Sequence, residues 1–293
     1  MSGYSVLGDW GTTRLRLFRV ENGVVTDRAF GDGIGTPGIV PEAVLRGALG
    51  GWLAAGAPES IRLCGMVGAR DGWREVPYAE CPASRDDWFA AATDLTLDGV
   101  PVSIMAGLAC ADAEGVPDVM RGEETQLYGA LALSPDLAAG RHIVILPGTH
   151  SKWAVIEDGA ITGFRTILTG ELFALLRTHS TLARGLAAGD AGVEAEGFAA
   201  GLARAETGVL SALFGARAMQ LRGGKTPDWA LGYLSGLVIG GEIVEMRAML
   251  GDAAGVTIIG DPRLADRYEA AFARTGIVAR RLDGDACVLA GLS

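Results

Sequence analysis

The sequence predicts an α/β protein built from two similar lobes. Three observations carry this expectation. The chain has 293 residues, long for one compact core and enough for two units of about 100–150 residues each. Apolar residues make up 49% of it and charged residues 20%, so a sizeable core can be buried and a disordered chain is excluded. One strand–loop–strand–turn–strand unit also occurs twice, once near the start of each half.

The first copy begins with the apolar run Ser5 to Leu7, followed by the loop Asp9-Trp10-Gly11-Thr12-Thr13. Leu15, Leu17 and Val20 then sit among Arg14, Arg16 and Arg19, a near-alternation that fits a strand with one buried face. Asn22-Gly23 reads as a two-residue hairpin turn, whose central positions both need positive φ. Val24, Val25 and Phe30 mark a third strand. The second copy runs from the apolar Ile143–Leu146 through Pro147-Gly148-Thr149-His150-Ser151 to Trp153, Val155 and Ile156. It turns at Asp158-Gly159 and continues from Ala160 to Thr166. Gly11 to Gly23 spans 12 residues and Gly148 to Gly159 spans 11, with the copies 137 residues apart. Hairpins are common, but a matched pair that shares a Gly-Thr loop reads as a duplication. The lobes are placed at 1–135 and 136–293.

Helices are expected at Glu42–Leu53 behind Pro41, Glu123–Leu133, Gly170–Leu182, Ala199–Phe214, Leu231–Leu250, Leu264–Arg274 and Ala286–Leu292. Further strands are expected at Ile61–Cys64, Val102–Met105 and Val256–Ile259.

The formal charge is −10 and the isoelectric point about 4.8. A nucleic-acid partner is disfavoured, because a phosphate backbone calls for a basic face. A single polyphosphate can still be held by backbone amides and a metal ion. Lys152 and Lys225 are the only lysines, so arginine must supply most cationic contacts. Cys64, Cys81, Cys110 and Cys287 have neither metal-ligand nor redox spacing. They read as reduced thiols of a cytoplasmic protein. The N-terminus has no basic-then-apolar leader pattern. The most apolar stretch, Trp229–Gly241, is too short to span a bilayer, so no membrane partner is expected.

The loop Asp9–Thr13 suits phosphate binding. Glycine permits a tight turn with inward amides, and threonine hydroxyls add donors. Asp9 at a strand end can hold Mg²⁺ through water, since magnesium keeps its water shell. Alone the loop would be a plain hairpin with a self-satisfied Asp. Paired with Gly148-Thr149 it becomes half of a clamp for a triphosphate across a cleft. The phosphate contacts are then Gly11, Thr12, Thr13, Gly148, Thr149 and His150, although a backbone-bonded role for His150 stays open. Two decoys are set aside. Gly223-Gly224-Lys225-Thr226 lacks the first glycine of a nucleotide loop, which falls at Met219, and no strand precedes it. Gly33, Gly35 and Gly38 have a dinucleotide spacing that Pro37 and Pro41 interrupt. His142, His150 and His179 share no metal-ligand spacing.

Asp9–Thr13 and Pro147–Trp153 resemble the two phosphate motifs of the sugar-kinase/Hsp70/actin superfamily. Met120-Arg121-Gly122-Glu123-Glu124-Thr125-Gln126, Gly65-Met66-Val67-Gly68 with Gly72-Trp73, and Thr169-Gly170-Glu171-Leu172 are similar to the 2-dehydro-3-deoxygalactonokinase family. The similarity runs over essentially the whole chain. It implies two ribonuclease-H-like lobes of the actin/hexokinase type with a central nucleotide cleft. It also implies Mg²⁺- and ATP-dependent phosphorylation of 2-dehydro-3-deoxy-D-galactonate at its 6-hydroxyl, in galactonate catabolism.

Phosphoryl transfer needs positioning, charge neutralisation and a base for the hydroxyl proton. In related sugar kinases a carboxylate follows a glycine at the start of the helix leading into the second phosphate loop. Gly122-Glu123 takes that place, 25 residues before Gly148. Those kinases usually use Asp, so Glu123 departs from the pattern, and Asp118 and Glu124 are its rivals. Glu124 otherwise serves only to favour a helix N-terminus. An acidic substrate needs a cation, for which Arg70 is the first candidate and Arg121 the second. Gly65, Met66, Val67, Trp73 and Tyr78 shape the sugar pocket, unless Trp73 and Tyr78 are core aromatics. Gly260 and Asp261 resemble the superfamily's adenosine motif. Gly236 and Gly240 either serve the same end or pack two helices.

Two alternatives are carried. One is a kinase for another sugar or sugar acid. The other is an ATP-dependent sensor or chaperone of the same superfold, against which stands the absence of any substrate-binding appendage. The sequence leaves open whether a homo-oligomer forms.

Overall fold

The computed structural model describes residues 3–185, 187–251 and 255–293. In chain order the first elements are β1 (Ser5–Trp10), β2 (Arg14–Glu21), β3 (Val24–Asp32), α1 (Pro41–Leu53), β4 (Ser60–Cys64), β5 (Tyr78–Glu80), α2 (Arg85–Ala90), β6 (Thr93–Leu97), β7 (Val100–Ile104), β8 (Gly107–Ala111), β9 (Pro117–Met120) and α3 (Glu123–Leu133). There follow β10 (Arg141–Leu146), β11 (Ser151–Glu157), β12 (Ala160–Ile167), α4 (Thr169–His179), α5 (Ala191–Ala205), α6 (Val209–Ala212), α7 (Gly215–Arg222), α8 (Pro227–Leu250), β13 (Gly255–Gly260), α9 (Pro262–Ala273), β14 (Val278–Asp283) and α10 (Gly284–Leu292).

The duplication read from the sequence recurs as strand order. One sheet runs β3-β2-β1-β4-β7-β6 and another β12-β11-β10-β13-β14. Each therefore places its third, second and first strands side by side, then adds a strand parallel to the first: β4 beside β1, and β13 beside β10. Both hairpin turns have the backbone that Asx-Gly was expected to give. Asn22 and Gly23 have φ of 50° and 77°, and Asp158 and Gly159 have 47° and 82°. A third, smaller sheet β5-β8-β9 was not foreseen. Its strands β8 and β9 lie between β7 and α3 in the chain, and β9 delivers the segment Met120–Glu123.

The chain forms two compact units. One comprises the residues to Arg141 with Ala154–Phe164 and Leu282–Ser293; the other comprises His142–Trp153 and Arg165–Arg281. The first unit thus takes in Ala154–Phe164 and, from the last residues of the chain, α10. There it packs on α3 through glycines: a Cβ on Gly129 would lie 1.8 Å from the Cys287 carbonyl, and one on Gly291 2.1 Å from that of Thr125. Trp88 and Tyr128 stack at 4.7 Å in the core of this unit. They satisfy their polar atoms by donating to the Ala106 and Ala83 carbonyls.

In the second unit α5 and α8 are in close contact. A Cβ on Gly201 would meet the Tyr233 carbonyl at 2.1 Å, and one on Gly236 the Phe198 carbonyl at 2.1 Å. The four-residue glycine spacing of α8 therefore serves helix packing. The helix expected at Ala199–Phe214 is instead two, α5 and α6. It starts earlier, at a cap where Asp190 accepts from Gly192 and Val193, and it breaks at Gly208, whose φ is 102°. The Gly223–Thr226 decoy ends α7 and caps α8, with the Trp229 N–H donating to the Thr226 hydroxyl. Among the described residues, no helix is long and apolar enough to cross a membrane. The four cysteines are free, three of them buried.

Gly236→Ala is expected to cost about 1–3 kcal/mol by overpacking, read as a lower melting temperature in calorimetry. Gly47→Ala, on α1 where nothing lies within 4 Å of the new methyl, should not lower it.

Candidate active site

Three chain segments converge in the first unit. The end of β1 brings Asp9, the turn after β4 brings Gly65 and Met66, and the start of α3 brings Arg121, Gly122 and Glu123. With Gly11, Arg16, Gln126 and Val288 they line a pocket of about 350 Å³. Gly65 and Gly122 have φ of 91° and 112°, where a side chain is strained. A Cβ on Gly65 would sit 2.9 Å from the Trp10 carbonyl and 3.2 Å from Asp9 Oδ1. The same loop is backed by Gly33 and Gly35: the Ile34 and Gly35 amides donate to the Gly11 and Thr12 carbonyls at 3.0 and 2.9 Å. The interrupted dinucleotide spacing thus has a structural use. Thr12 and Thr13 stand exposed beside it.

Asp9 accepts from Arg16 at 2.5 Å, and Arg16 also donates to Asp285 at 2.6 Å. Burial alone would push the Arg16 guanidinium down, but its bonds to both carboxylates hold it firmly charged. The register explains the pair: Asp9 on β1 lies opposite Arg16 on β2. Arg16, Gln126 and Val288 were missed in the sequence. Arg16 was counted only as part of the alternation of β2, and Val288 reaches the pocket only because α10 returns to α3.

Arg121 donates through Nη2 to the Val76 carbonyl at 2.7 Å and lies 4.3 Å over the Tyr78 ring. Its Nε and Nη1 are buried without a hydrogen-bond partner. Gly68 makes room for them: a Cβ there would lie 2.9 Å from Nη1. Unmet guanidinium donors of this kind call for an acceptor. Arg70 is exposed and does not line this pocket. Val67 is fully buried in the core. Trp73 donates to Glu42 at 2.7 Å and lines a different pocket, with Arg46 and Asp98. Asp118, on β9, accepts from the Val119 amide and stays outside the pocket.

Glu123 and Glu124 are separated by the helix period. Glu123 faces the pocket, whereas Glu124 is fully buried and accepts from the Gly122 amide at 2.7 and 2.9 Å. Burial, and then the charge of Glu123, push the Glu124 carboxyl up to about 8. It is therefore mostly neutral at pH 7.

In the second unit the Gly148–His150 loop rests on the start of α4. The Glu171 amide donates to the Thr149 carbonyl at 2.9 Å, and a Cβ on Gly170 would lie 2.3 Å from the Gly148 carbonyl. His150 pairs through Nε2 with Glu171 at 2.5 Å, a partner the sequence did not suggest. Gly260 ends β13 with φ of 153°. Asp261 caps α9 by accepting from Arg263 and Leu264, so its side chain already has a structural task. Gly236 lies inside the α5–α8 contact.

Residues 9–293 match the family model for 2-keto-3-deoxy-galactonokinase. The chain belongs to that family. It is 38% identical over 305 residues to the "Probable 2-dehydro-3-deoxygalactonokinase DgoK1" of Rhizobium meliloti strain 1021, covering 100% of this chain and 96% of the relative. It is 34% identical over 288 residues to the 2-dehydro-3-deoxygalactonokinase of Escherichia coli K12, covering 97% and 94%. The fold matches the crystal structure of a provisionally named 2-dehydro-3-deoxygalactonokinase from Sinorhizobium meliloti. The TM-score is 0.85, with 36% identity, over 99% of this chain and 94% of that one. Membership of this galactonokinase family covers both Gly-Thr loops, the Arg121–Gln126 segment and α10.

The buried Glu124 makes stability depend on pH. Its folded value lies above the ordinary 4.5, so the folded chain holds a proton that the unfolded chain releases. Stability from this group is present in acid and falls between about pH 4.5 and 8. Glu124→Gln should flatten that fall, so thermal melts at pH 5 and pH 8 should differ less in the variant than in the parent. An unchanged difference would refute the neutral-carboxyl assignment.

Proposed function

We propose that this chain transfers the γ-phosphoryl group of ATP to the 6-hydroxyl of 2-dehydro-3-deoxy-D-galactonate. The work is done in the cytoplasm, where its four free thiols stay reduced. The observation that carries this reading is the pairing, in one pocket, of Glu123 with Arg121, whose guanidinium still has two buried nitrogens without a partner. A sugar acid needs both groups. Its carboxylate accepts from arginine, and its hydroxyl gives up a proton as it attacks. A pocket of about 350 Å³ suits a six-carbon acid. Met66 and Tyr78 border the substrate, and Gly65 lets it approach the backbone.

In this mechanism Arg121 orients the acid and Glu123 receives the proton from the hydroxyl. That oxygen bonds to the γ-phosphorus as the bond to the bridging oxygen breaks, and ADP leaves. On the first unit Thr12 and Thr13, exposed in the loop, supply donors for phosphate, while Gly11 shapes the turn with its amide bonded to the Arg14 carbonyl; taken by itself, the second unit has a phosphate loop in Gly148, Thr149 and His150. Gly260 admits the adenine. Among the described residues, no three acidic, cysteine or histidine side chains cluster to hold a metal. Asp9, with Oδ2 bonded to Arg16, offers its other oxygen, which suits Mg²⁺, an ion that takes one or two carboxylates and fills its shell with water and phosphate oxygens. Bound there, Mg²⁺ supplies neutralisation of phosphate charge.

A coupled ADP-release assay over a panel of sugars and sugar acids, with and without Mg²⁺, tests the activity. Turnover confined to neutral hexoses, or ATP hydrolysis without any acceptor, would overturn it. Glu123→Gln should lose turnover by about 10²–10⁴-fold while still binding an ATP analogue. Arg121→Leu should raise KM for the sugar acid by about tenfold or more and leave KM for ATP in place.

A further inference from the structure

The second unit holds a buried carboxylate that the mechanism above does not use. Glu242 lies on α8 and is 3% exposed. Four donors from three segments, β11, α4 and α9, end on it. Ser151 donates to Oε1 at 2.7 Å and Trp153 Nε1 donates to the same oxygen at 2.6 Å. Tyr268 donates to Oε2 at 2.5 Å, and the Thr169 hydroxyl donates to that oxygen as well. Burial pushes this carboxyl up, and the four donors pull it back.

The donors are not scattered. Ser151 directly follows the Gly148–His150 loop and opens β11, and Trp153 lies two residues further along the same strand. Thr169 opens α4, whose next two residues support that loop from below through Gly170 and the Glu171 amide. Tyr268 belongs to α9, whose first turn is capped by Asp261 beside Gly260. The Gly260 Cα faces the same loop, since a Cβ there would lie 3.5 Å from the Pro147 carbonyl. One carboxylate thus ties together the phosphate loop, the helix that props it, and the helix that follows the adenosine candidates. An apolar residue in its place would leave four buried donors unpaired, each at the cost of its lost hydration. Only an acceptor with two oxygens can fix four donors in one geometry.

Resting on the kinase reading, we propose that Glu242 is a positioning residue for the nucleotide. It sets the Gly148–His150 loop and the α9 end of the same unit in one fixed arrangement, and it touches no ligand itself. The consequence is specific. Weakening Glu242 should loosen nucleotide binding and leave sugar-acid binding as it was, because the sugar pocket lies in the other unit.

The test measures affinity for a non-hydrolysable ATP analogue with Mg²⁺, and separately for the sugar acid, by calorimetry on the full chain. Glu242→Gln should weaken analogue binding by about tenfold or more, with sugar-acid affinity within about twofold of the parent. Tyr268→Phe, which removes one donor, should weaken the analogue by about threefold. KM for ATP should rise while KM for the sugar acid does not. Unchanged analogue affinity in folded Glu242→Gln overturns the proposal, as does an equal loss for both ligands, the mark of a general structural role. If Glu242→Gln does not fold, Tyr268→Phe decides, and parental affinity there overturns the proposal. A parent chain that binds the sugar acid but no ATP analogue refutes the kinase reading itself, an outcome distinct from all of these.

Discussion

The candidate site exists because three segments of backbone meet where a side chain would not fit. Gly65 passes so close to the Trp10 carbonyl and Asp9 that any Cβ would collide, and a Cβ on Gly122 would come to 3.5 Å from the Gly65 Cα. Both residues also adopt φ values that other residues avoid. The outcome is a junction of bare backbone, from which Asp9, Met66 and Glu123 project into a common pocket. Elements farther out hold that junction in place. The β5-β8-β9 sheet delivers Met120 to it, Trp10 is anchored by donating to the Asp32 carbonyl, and α10 presses on α3 through two more glycines. Glycine costs conformational entropy at each of these points, and the close approach is what that cost secures.

Charge is handled in opposite ways in the two units. In the first, a cation is left incomplete: Arg121 has two buried nitrogens with nothing to donate to. In the second, an anion is over-supplied, with four donors on Glu242. A buried donor without an acceptor is a liability in the free protein and an advantage once an anion arrives. A fully bonded carboxylate has no capacity left for a ligand and can only hold its neighbours. The same polar chemistry is therefore left open at Arg121 and closed at Glu242. Asp9 stands between these extremes, since Arg16 already neutralises it but leaves it 24% exposed.

What could be read from the sequence was local. The Asx-Gly turns fix their own φ, the alternation of Leu15 and Leu17 fixes the buried face of β2, and the Gly-Thr loops follow from spacing. The duplicated strand order was legible for that reason. What escaped was set by distant partners. Arg16 meets Asp285 across 269 positions, and no local signal announces such a pair. The three short strands of the extra sheet carry too few residues for a periodic pattern. Val67 and Trp73 sit inside a recognisable motif, yet one is core and the other faces a second pocket. A motif names the neighbourhood of a site, while the direction of each side chain is decided by packing.

The choice between Glu123 and Glu124 shows how that limit is overcome. In sequence the two are adjacent and equally acidic. On a helix, consecutive residues point about 100° apart, so one can face the pocket only if the other turns inward. Burial then changes what the inner one can do. Glu124, with both oxygens on the Gly122 amide and its carboxyl raised to about 8, adds little negative charge near the pocket at neutral pH. That matters because a second carboxylate there would repel both the sugar acid and the phosphates. The paired acids thus divide by environment: one clamps the glycine turn in neutral form, and the other faces the pocket as the acid of α3 that lines it.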